Sequence, residues 1–579
     1  MKMKYKYYIA VVITGLAIMS ASCKRTLETV PVERFTEEYL FDVNDSAGVN
    51  AGNFLNNIYG YIPTGFNRVG GDILDAATDD AISSSINPSD VTRMLTGGVS
   101  LFFNPDDCFT YEGLNYYTPI RKATIFINSI DVVPLQGFLT DGTRRPLKAA
   151  WKAEARTLRA LYYFEMVKRY GGMPLLGDDV KNLGDDLELP RNSFAECIKY
   201  IADECDKAMP DLRKDPVDAL NYGRITQAVA MSLKSRVLLY AASKLYNGGN
   251  IDGTNQLTGY AEYDKNRWKL ASDAARAVID LNVFSLHPAL VSLFIDRNPE
   301  IIFAHLDGNL NITIERVNGP TGLGKLSPTS SGRTSPTHDL VKSFPMNNGL
   351  PISDPASGYN AEMPYANRDP RLDFTVFHND SEWLLTKVQT FNGGTSKPGG
   401  TAQQTKTSYY MRKFMGDFTK VANYDNAAKV HQFVIFRYAE TLLNFAEATN
   451  EFSGPTAEVY DALRSLRRRA GILPGSNAMF GFKSGMTQAE MRQAIYNERR
   501  IELTFEEHRF WDIRRWRLAE DVLNKPLTGY ELVKDPFTGT ITGTEKPVLT
   551  PVFPTKMYFY PIRYSEIIKD VNMKQNPGW

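Results

Sequence analysis

The sequence is most distinctive at Asn497–Trp516, which reads NERRIELTFEEHRFWDIRRW and places charges of both signs between aromatic side chains. A nucleic-acid patch would need net positive charge, but the carboxylates here cancel most of the arginines. An acid–base site could use Glu506 or His508, yet nothing in the sequence pushes two pKa values apart. We therefore predict a helix whose Glu502–Glu506 face meets arginines in a partly buried ion-pair network. The arginines expected to supply the opposite charge are Arg499, Arg509 and Arg515.

The composition is that of a large globular chain without a global charge. The 579 residues include 66 Lys plus Arg and 66 Asp plus Glu, so the formal net charge is +0. No long-range field therefore favours nucleic acid as a partner. Aromatic residues reach 12%, which suits a recognition surface as well as a core.

Apolar residues upstream of this stretch recur every three or four positions in three helical pairs. Small alanines occupy packing positions in them, as in tetratricopeptide-type hairpins. We predict a mostly α fold of tetratricopeptide-like helical hairpins with a loop-rich irregular subdomain that contains short strands. The pairs are Trp151–Tyr162 with Phe194–Ala208, Thr226–Tyr246 with Trp268–Val278, and Ala439–Ala446 with Val459–Ala470.

Residues 282–432 change in character and form the loop-rich subdomain. Glycine and proline dipeptides separate short β-like runs such as Ile301–Phe303 and Phe374–Phe377. Lys397–Thr401 is typical of a mobile loop tip. Because loops on a rigid scaffold usually carry binding residues, we expect the ligand to be bound by loops.

The N-terminus is typical of an exported lipoprotein. Lysines at positions 2, 4 and 6 precede an apolar run, Ile9–Met19, which is too short to span a bilayer. Small residues then lead to Cys23, as in a bacterial lipobox, although Ser20 stands where that motif usually has leucine. We predict a signal peptide over 1–22 and a lipid on Cys23. The alternative is an ordinary signal peptide cut near an incidental cysteine.

The remaining cysteines give little support for disulfides or metal. Cys108, Cys197 and Cys205 are odd in number, and the last two lie about 12 Å apart on one predicted helix, too far to bridge. The six histidines show no His-x-x-x-His pair and no Cys-x-x-Cys occurs. We predict buried thiols, no metal and no cofactor beyond the covalent lipid; calcium is not indicated.

Four further motifs appear in a fixed order around the first stretch. Together the five segments resemble the SusD/RagB family of outer-membrane nutrient-binding lipoproteins, over a span from Cys23 to Trp579. The four motifs are Asp354–Tyr359 (DPASGY), Asn367–Arg371 (NRDPR), Arg437–Ala448 (RYAETLLNFAEA), and the ending Tyr560–Ile562 (YPI) to Asn576–Trp579 (NPGW).

The resemblance implies a protein without catalytic activity. Such proteins are understood to lie as a lid on a SusC-like TonB-dependent outer-membrane transporter, to capture an oligosaccharide or, in the RagB branch, a peptide, and to deliver it. It also implies a lipid-anchored location at the outer membrane, exposed on the cell surface. Lys24 and Arg25 depart from the acidic residues that often follow the lipidated cysteine, so surface exposure is implied by the family alone. The domain organisation that we expect is 1–22, 23–45, 46–281, 282–432, 433–519 and 520–579.

Family order also indicates three candidate ligand loops: Gly65–Asp80, Gly97–Asp107 and Ala304–Lys325. Sugars need aromatic faces and polar side chains for the hydroxyls, so an aromatic residue close to an arginine in a glycine-flanked loop is a plausible pair. The candidate residues are Phe66, Arg68, Asp72, Asp80, Phe102, Phe103, Asn309, Asn311 and Arg316.

Two other classes of function remain open from the sequence. A helical-repeat scaffold would bind a partner and no small ligand. A secreted hydrolase would need a pair of catalytic carboxylates, and none of the available ones has a recognisable motif around it. The carboxylates that could form such a pair are Asp79, Asp80, Asp106, Asp107 and Glu506.

Overall fold

The computed structural model describes residues 36–110, 114–182, 184–249, 251–306, 313–323, 331–399, 403–424 and 430–579. In these ranges, no helix combines the length and the apolar character needed to cross a bilayer. The predicted signal peptide and Cys23 lie outside the described residues.

Helices dominate the fold, which confirms the predicted class. The helices are α1 (Glu37–Leu40), α2 (Val49–Tyr59), α3 (Asp90–Leu95), α4 (Tyr117–Ser129), α5 (Leu147–Tyr170), α6 (Phe194–Ala208), α7 (Gln227–Ala242), α8 (Asn266–Ile279), α9 (Thr313–Asn318), α10 (His338–Ser343), α11 (Arg371–Thr375), α12 (Tyr438–Ser453), α13 (Ala457–Ala470), α14 (Gln488–Glu502), α15 (His508–Arg515), α16 (Ala519–Val522) and α17 (Tyr564–Ile567).

The strands are short and pair two by two in antiparallel fashion: β1 with β3, β2 with β8, β4 with β7, β5 with β6, and β9 with β10. They are β1 (Ala81–Ser83), β2 (Ile301–Leu306), β3 (Thr334–Pro336), β4 (Val376–Phe377), β5 (Glu382–Trp383), β6 (Thr386–Lys387), β7 (Tyr410–Met411), β8 (Gln432–Arg437), β9 (Leu527–Lys534) and β10 (Ile541–Leu549).

The three predicted helical pairs are present as α5 with α6, α7 with α8, and α12 with α13, each packed against its partner. Local signals fix their ends. A capping box of Ser193 and Glu196 begins α6, and the Thr226 side chain caps α7. Helix α5 ends at Gly171, where a Cβ atom would lie 2.2 Å from the Leu257 carbonyl oxygen.

The loop-rich subdomain is an insertion in the helical stack. Helix α8 packs against α12, although more than 150 residues separate them in the chain. The chain therefore leaves the stack after α8, forms the loops and short strands, and returns at α12. Within the insertion, Ile301–Phe303 lies in β2 as predicted. Of the predicted run Phe374–Phe377, Val376–Phe377 forms β4. Phe374 lies instead in the short helix α11, because the Asp369 carboxylate accepts the backbone N–H of Arg371 and starts a helical turn there.

The stretch around Glu502 is not one helix, so that detail of the prediction was wrong. Helix α14 ends at Glu502 and α15 begins at His508. Phe505 and Glu507 have φ values of 64° and 63°, which reverse the chain between the two helices.

The predicted ion-pair network is present and its carboxylates are buried, but its partners differ. The Glu502 carboxylate accepts hydrogen bonds from Arg371, Arg437 and Arg469. Arg371 and Arg437 belong to two of the other sequence motifs, so three motifs meet at this carboxylate. The arginines predicted for this role bind other carboxylates: Arg499 and Arg515 bind Asp512, and Arg509 binds Asp79.

The remaining cysteines are buried and unpaired, as predicted. Cys197 and Cys205 both lie in α6 with no exposed surface. Burial raises the pKa of Cys197 to about 12, so this thiol is inert at neutral pH.

Candidate ligand-binding surface

Segments distant in sequence meet at one edge of the β1–β3 pair. The backbone N–H of Ser84, directly after β1, donates to the carbonyl of Arg333, directly before β3. The chain from Gln403 to Lys406 lies alongside, because the Lys406 N–H donates to the Ser335 side chain at 3.2 Å. Three parts of the chain thus build one surface.

Arg333 is held in place by a buried carboxylate. Its Nε donates to Asp72 at 2.6 Å, and a terminal nitrogen donates to the same carboxylate and to the Gly70 carbonyl, both at 3.1 Å. Asp72 is fully buried and also accepts from the Ser83 hydroxyl at 2.8 Å. Asp72 binds one side of the guanidinium, and the other terminal nitrogen, at the partly exposed surface, has no partner among the residues that the structure describes.

Lys406 and Gln403 bind the segment that directly follows β1. The Lys406 ammonium donates to the Ser85 carbonyl at 2.8 Å, and the Gln403 amide donates to the Ser84 hydroxyl at 3.0 Å. Partial burial lowers the pKa of Lys406. An ammonium has three donors, and among the described residues only Ser85 accepts from this one, which leaves two donors for a ligand.

Arg316 and Asn67 extend the same surface. The Arg316 carbonyl accepts the N–H of Ser331, two residues before Arg333, and its side chain is exposed. Within the part of the chain that the structure describes, the Arg316 guanidinium has no hydrogen-bond or ion-pair partner. Asn67 has a φ of 51°, and its side-chain oxygen accepts from Asn318 at 3.2 Å. We call this surface the polar platform; its members are Asn67, Arg316, Arg333, Gln403 and Lys406.

The polar platform is rich in hydrogen-bond donors held on a rigid base. Arg316, Arg333 and Lys406 supply charge-assisted donors, and the two amide side chains supply both donors and acceptors. Such a surface can bind hydroxyl groups or carboxylates, and it holds no nucleophile activated by a neighbouring base.

Phe66 and Arg68, the sequence's preferred binding pair, make contacts within the protein. The Phe66 ring packs edge-to-face against Phe414 and Phe433, with centroids 5.1 and 5.3 Å apart. Arg68 donates twice to Glu507, at 2.6 and 2.9 Å, and once to Asp106. These contacts favour a structural role for both residues, and direct ligand contact by them stays a prediction.

The carboxylates considered for hydrolysis are all buried and paired with at least one arginine: Asp79 and Asp80 with Arg500, Asp106 with Arg68 and Arg169, Asp107 with Arg563, and Glu506 with Arg437.

Asp79 and Asp80 are sequence neighbours whose pKa values shift in opposite directions. Burial raises the pKa of Asp80, and repulsion from Asp79 adds to the effect despite the Arg500 guanidinium. Burial also acts on Asp79, but Arg500 and Arg509 outweigh it and hold the pKa of Asp79 below its ordinary value. Asp80 has no exposed surface and Asp79 is 6% exposed, so a substrate has little access to this pair.

The other aromatic candidates lie elsewhere. Phe102 is 72% exposed and contacts Tyr564, with ring centroids 5.5 Å apart. Phe103 lies under the Arg93 guanidinium at 3.5 Å. Neither contact involves the polar platform.

Among the sequence-predicted residues, Arg316 lies on the polar platform and Asp72 lies directly beneath it. Asn309 and Asn311 are outside the described residues and stay predictions. Arg333, Gln403 and Lys406 were not predicted. The one available signal was the glycine-rich tip at Lys397–Thr401, which ends two positions before Gln403.

Sequence comparison shows relatives along most of the chain. Residues 299–579 match the model of the SusD family. SusD-like protein P38 of Formosa agariphila is 21% identical over 544 residues, which is 90% of this chain and 92% of that protein. SusD-like protein P2 of the same organism is 31% identical over 152 residues, 25% of this chain and 26% of that protein.

Solved structures show the same fold. A SusD-like protein from Bacteroides fragilis superposes with a TM-score of 0.73 and 24% identity, covering 92% of this chain and 98% of the other. A laminarin-binding SusD-like protein superposes with a TM-score of 0.61 and 18% identity, covering 92% and 99% of the two chains.

Proposed function

Because this chain belongs to the SusD family, we propose that it is a non-catalytic, lipid-anchored protein of the outer membrane that captures an oligosaccharide or polysaccharide. It passes the captured glycan to a SusC-like TonB-dependent transporter. The observation that carries the glycan part of the proposal is the polar platform, where three distant segments present donors at an open surface.

The geometry of the polar platform suits a glycan in two respects. Sugar hydroxyls need several donors and acceptors at fixed positions, and Asp72 fixes Arg333 from below. A polymer also needs donors that solvent can reach, and the Arg316 and Lys406 side chains are exposed. The laminarin-binding relative supports a glycan ligand for the shared fold.

A peptide is the alternative ligand, in a RagB-like role. It is favoured by one observation: Arg316, Arg333 and Lys406 are three cationic groups on one surface, and cations of this kind also bind peptide carboxylates. The partner and the location would be the same.

We expect the purified chain, without its anchor, to bind at least one oligosaccharide from a panel made from laminarin, xylan, mannan and starch. Isothermal titration calorimetry would measure binding, with peptides of matched length in parallel. Binding of peptides but of no glycan would favour the alternative, and binding of neither would contradict the proposal.

The bound oligosaccharide is expected to be recovered at its original length. The five carboxylates that the sequence offered for a hydrolytic pair are buried and paired with arginines, so none of these five is placed to protonate a bound ligand. Chromatography after prolonged incubation would measure the length. Shortened product that disappears after substitution of one Asp or Glu in a variant that still melts like wild type would instead assign an enzyme.

The anchor is tested at Cys23. We expect Cys23→Ala to give a folded protein that moves from the membrane fraction to the soluble fraction, because lipid chains supply the attachment. Fractionation in cells that lack the transporter would measure this. If the variant stayed with the membranes there, the anchor would lie elsewhere.

A further inference from the structure

A second surface of the loop-rich subdomain has the features of a ligand site. A groove with a volume of about 790 Å³ lies between residues 361–366, the turn at 378–380 and the β9–β10 pair. Its volume falls within the range of about 300 to 1,000 Å³ that is typical of small-molecule sites. Neither the polar platform nor any sequence-predicted residue lines it.

Aromatic side chains line the groove and are held by ring stacking. The Tyr365 and His378 rings stack with centroids 4.0 Å apart and an angle of 14° between their planes. Tyr530, on β9, stacks on His338 with centroids 4.6 Å apart. All three lining rings are only partly buried, so they can present apolar surface to the ring of a sugar.

Two carboxylates at the groove have spare hydrogen-bonding capacity. Within the described residues, the exposed Glu362 carboxylate has no hydrogen-bond donor. Asp380 accepts a single side-chain hydrogen bond, from Asn379 at 2.9 Å. Carboxylate oxygens are acceptors, and sugar hydroxyls donate to them.

The charge of the groove selects among ligands. Its described lining contains these two carboxylates and no lysine or arginine. An acidic sugar or a peptide carboxylate would be repelled there, whereas an uncharged sugar would not. The chemistry of the groove is therefore complementary to that of the polar platform.

The groove and the polar platform are joined by one short segment. Lys406 belongs to the polar platform, and the carbonyl of the next residue, Thr407, accepts the backbone N–H of Tyr530 at 3.0 Å. The two surfaces are therefore built on hydrogen-bonded neighbouring segments of the chain.

We propose that this groove is a second glycan-binding site, which takes an uncharged sugar unit of the same polymer that the polar platform captures. The inference rests on the proposed function, since it assumes a glycan ligand. Two contacts on one chain raise the affinity for long oligosaccharides without raising it for short ones.

The main test removes the charges of both carboxylates and keeps the size and shape of the two side chains. Glu362→Gln combined with Asp380→Asn should fold, because Glu362 is exposed and asparagine tolerates the φ of 69° at position 380. The probe is the longest laminarin oligosaccharide, or the panel glycan that wild type binds most tightly. We expect about tenfold weaker binding by calorimetry.

A second variant tests the aromatic part. A Cβ atom at Gly543 would lie 2.2 Å from the Tyr530 ring, so Gly543→Ala should displace this ring and weaken binding of the long probe to a similar degree. The matched control is Glu382→Gln with Asp521→Asn, which makes the same change of charge at two exposed residues outside the groove.

The outcomes separate the two proposals. If wild type binds the long probe and the groove variants bind it equally well, the second site is wrong and the proposed function stands. Equal weakening by the control variant would also reject the groove, because a general charge effect would explain the loss. If wild type binds no glycan, the proposed function fails and the groove proposal fails with it.

Discussion

Glu502→Gln is expected to lower the free energy of unfolding by about 3 to 5 kcal/mol, because it leaves buried guanidinium groups without their shared carboxylate. The Glu502 side chain is 2% exposed and accepts from Arg437 at 2.8 Å and from Arg371 at 3.0 Å, with Arg469 also bonded. Glutamine has the same shape and no charge, so the loss would report on electrostatics. Scanning calorimetry and chemical denaturation would measure it.

The matched control is Glu458→Gln on α13. This glutamate is 62% exposed and binds Arg276 at 2.7 Å. An exposed pair contributes about 0 to 1 kcal/mol, so the control should melt close to wild type. If Glu502→Gln melted like wild type but lost ligand binding, the carboxylate would belong to the ligand site and not to the scaffold.

The same carboxylate gives the stability a pH dependence. Burial would raise the pKa of Glu502, but Arg469, Arg437 and Arg371 outweigh it and hold the pKa well below its ordinary value. A group with a lowered pKa contributes stability above its unfolded pKa and loses it as the pH falls through the folded pKa. We therefore expect the difference between wild type and Glu502→Gln to be full at neutral pH and to shrink below about pH 4.3.

The fold was predictable where local signals fix it. The apolar spacing of α5 to α8 and of α12 to α13 gave the helical pairs, and Gly171 gave the end of α5. The partners of Glu502 were not predictable, because Arg437 and Arg371 lie 65 and 131 positions away in the chain. The spacing of residues in the sequence identifies neighbours on the same helix only. The charges around Glu502 come from distant segments that meet only in the folded core.

The site was harder to predict for a related reason. An aromatic residue near an arginine, such as Phe66 and Arg68, occurs both in sugar sites and in cores, and only the contacts with Phe414 and Glu507 distinguish them. Arg316 was predicted from its loop. Arg333 and Lys406 depend on how β3 and the chain after Gln403 lie against β1, which no local pattern reveals.

Arg316→Ala combined with Lys406→Met is expected to weaken glycan binding by at least about tenfold. Both side chains are exposed, and neither forms an ion pair with a buried carboxylate in the described part of the chain. Their removal therefore leaves no buried charge without a partner, so the melting temperature should stay close to that of wild type.

The matched control is Arg468→Ala with Lys525→Met, which removes one exposed arginine and one exposed lysine outside the polar platform. Both double variants lose two positive charges, so they change the net charge of the protein by the same amount. If the ligand is held by a non-specific attraction to positive charge, both double variants should bind it equally weakly. If it is held by contacts at the polar platform, only the Arg316→Ala/Lys406→Met variant should bind it more weakly.

The central claim is tested most directly by isothermal titration calorimetry, in which the panel oligosaccharide that wild type binds most tightly is titrated into wild type and into these two double variants. The account predicts that wild type and the Arg468→Ala/Lys525→Met protein bind alike, and that the Arg316→Ala/Lys406→Met protein binds at least about tenfold more weakly with an unchanged melt. Equal affinities in all three proteins would contradict glycan capture at the polar platform.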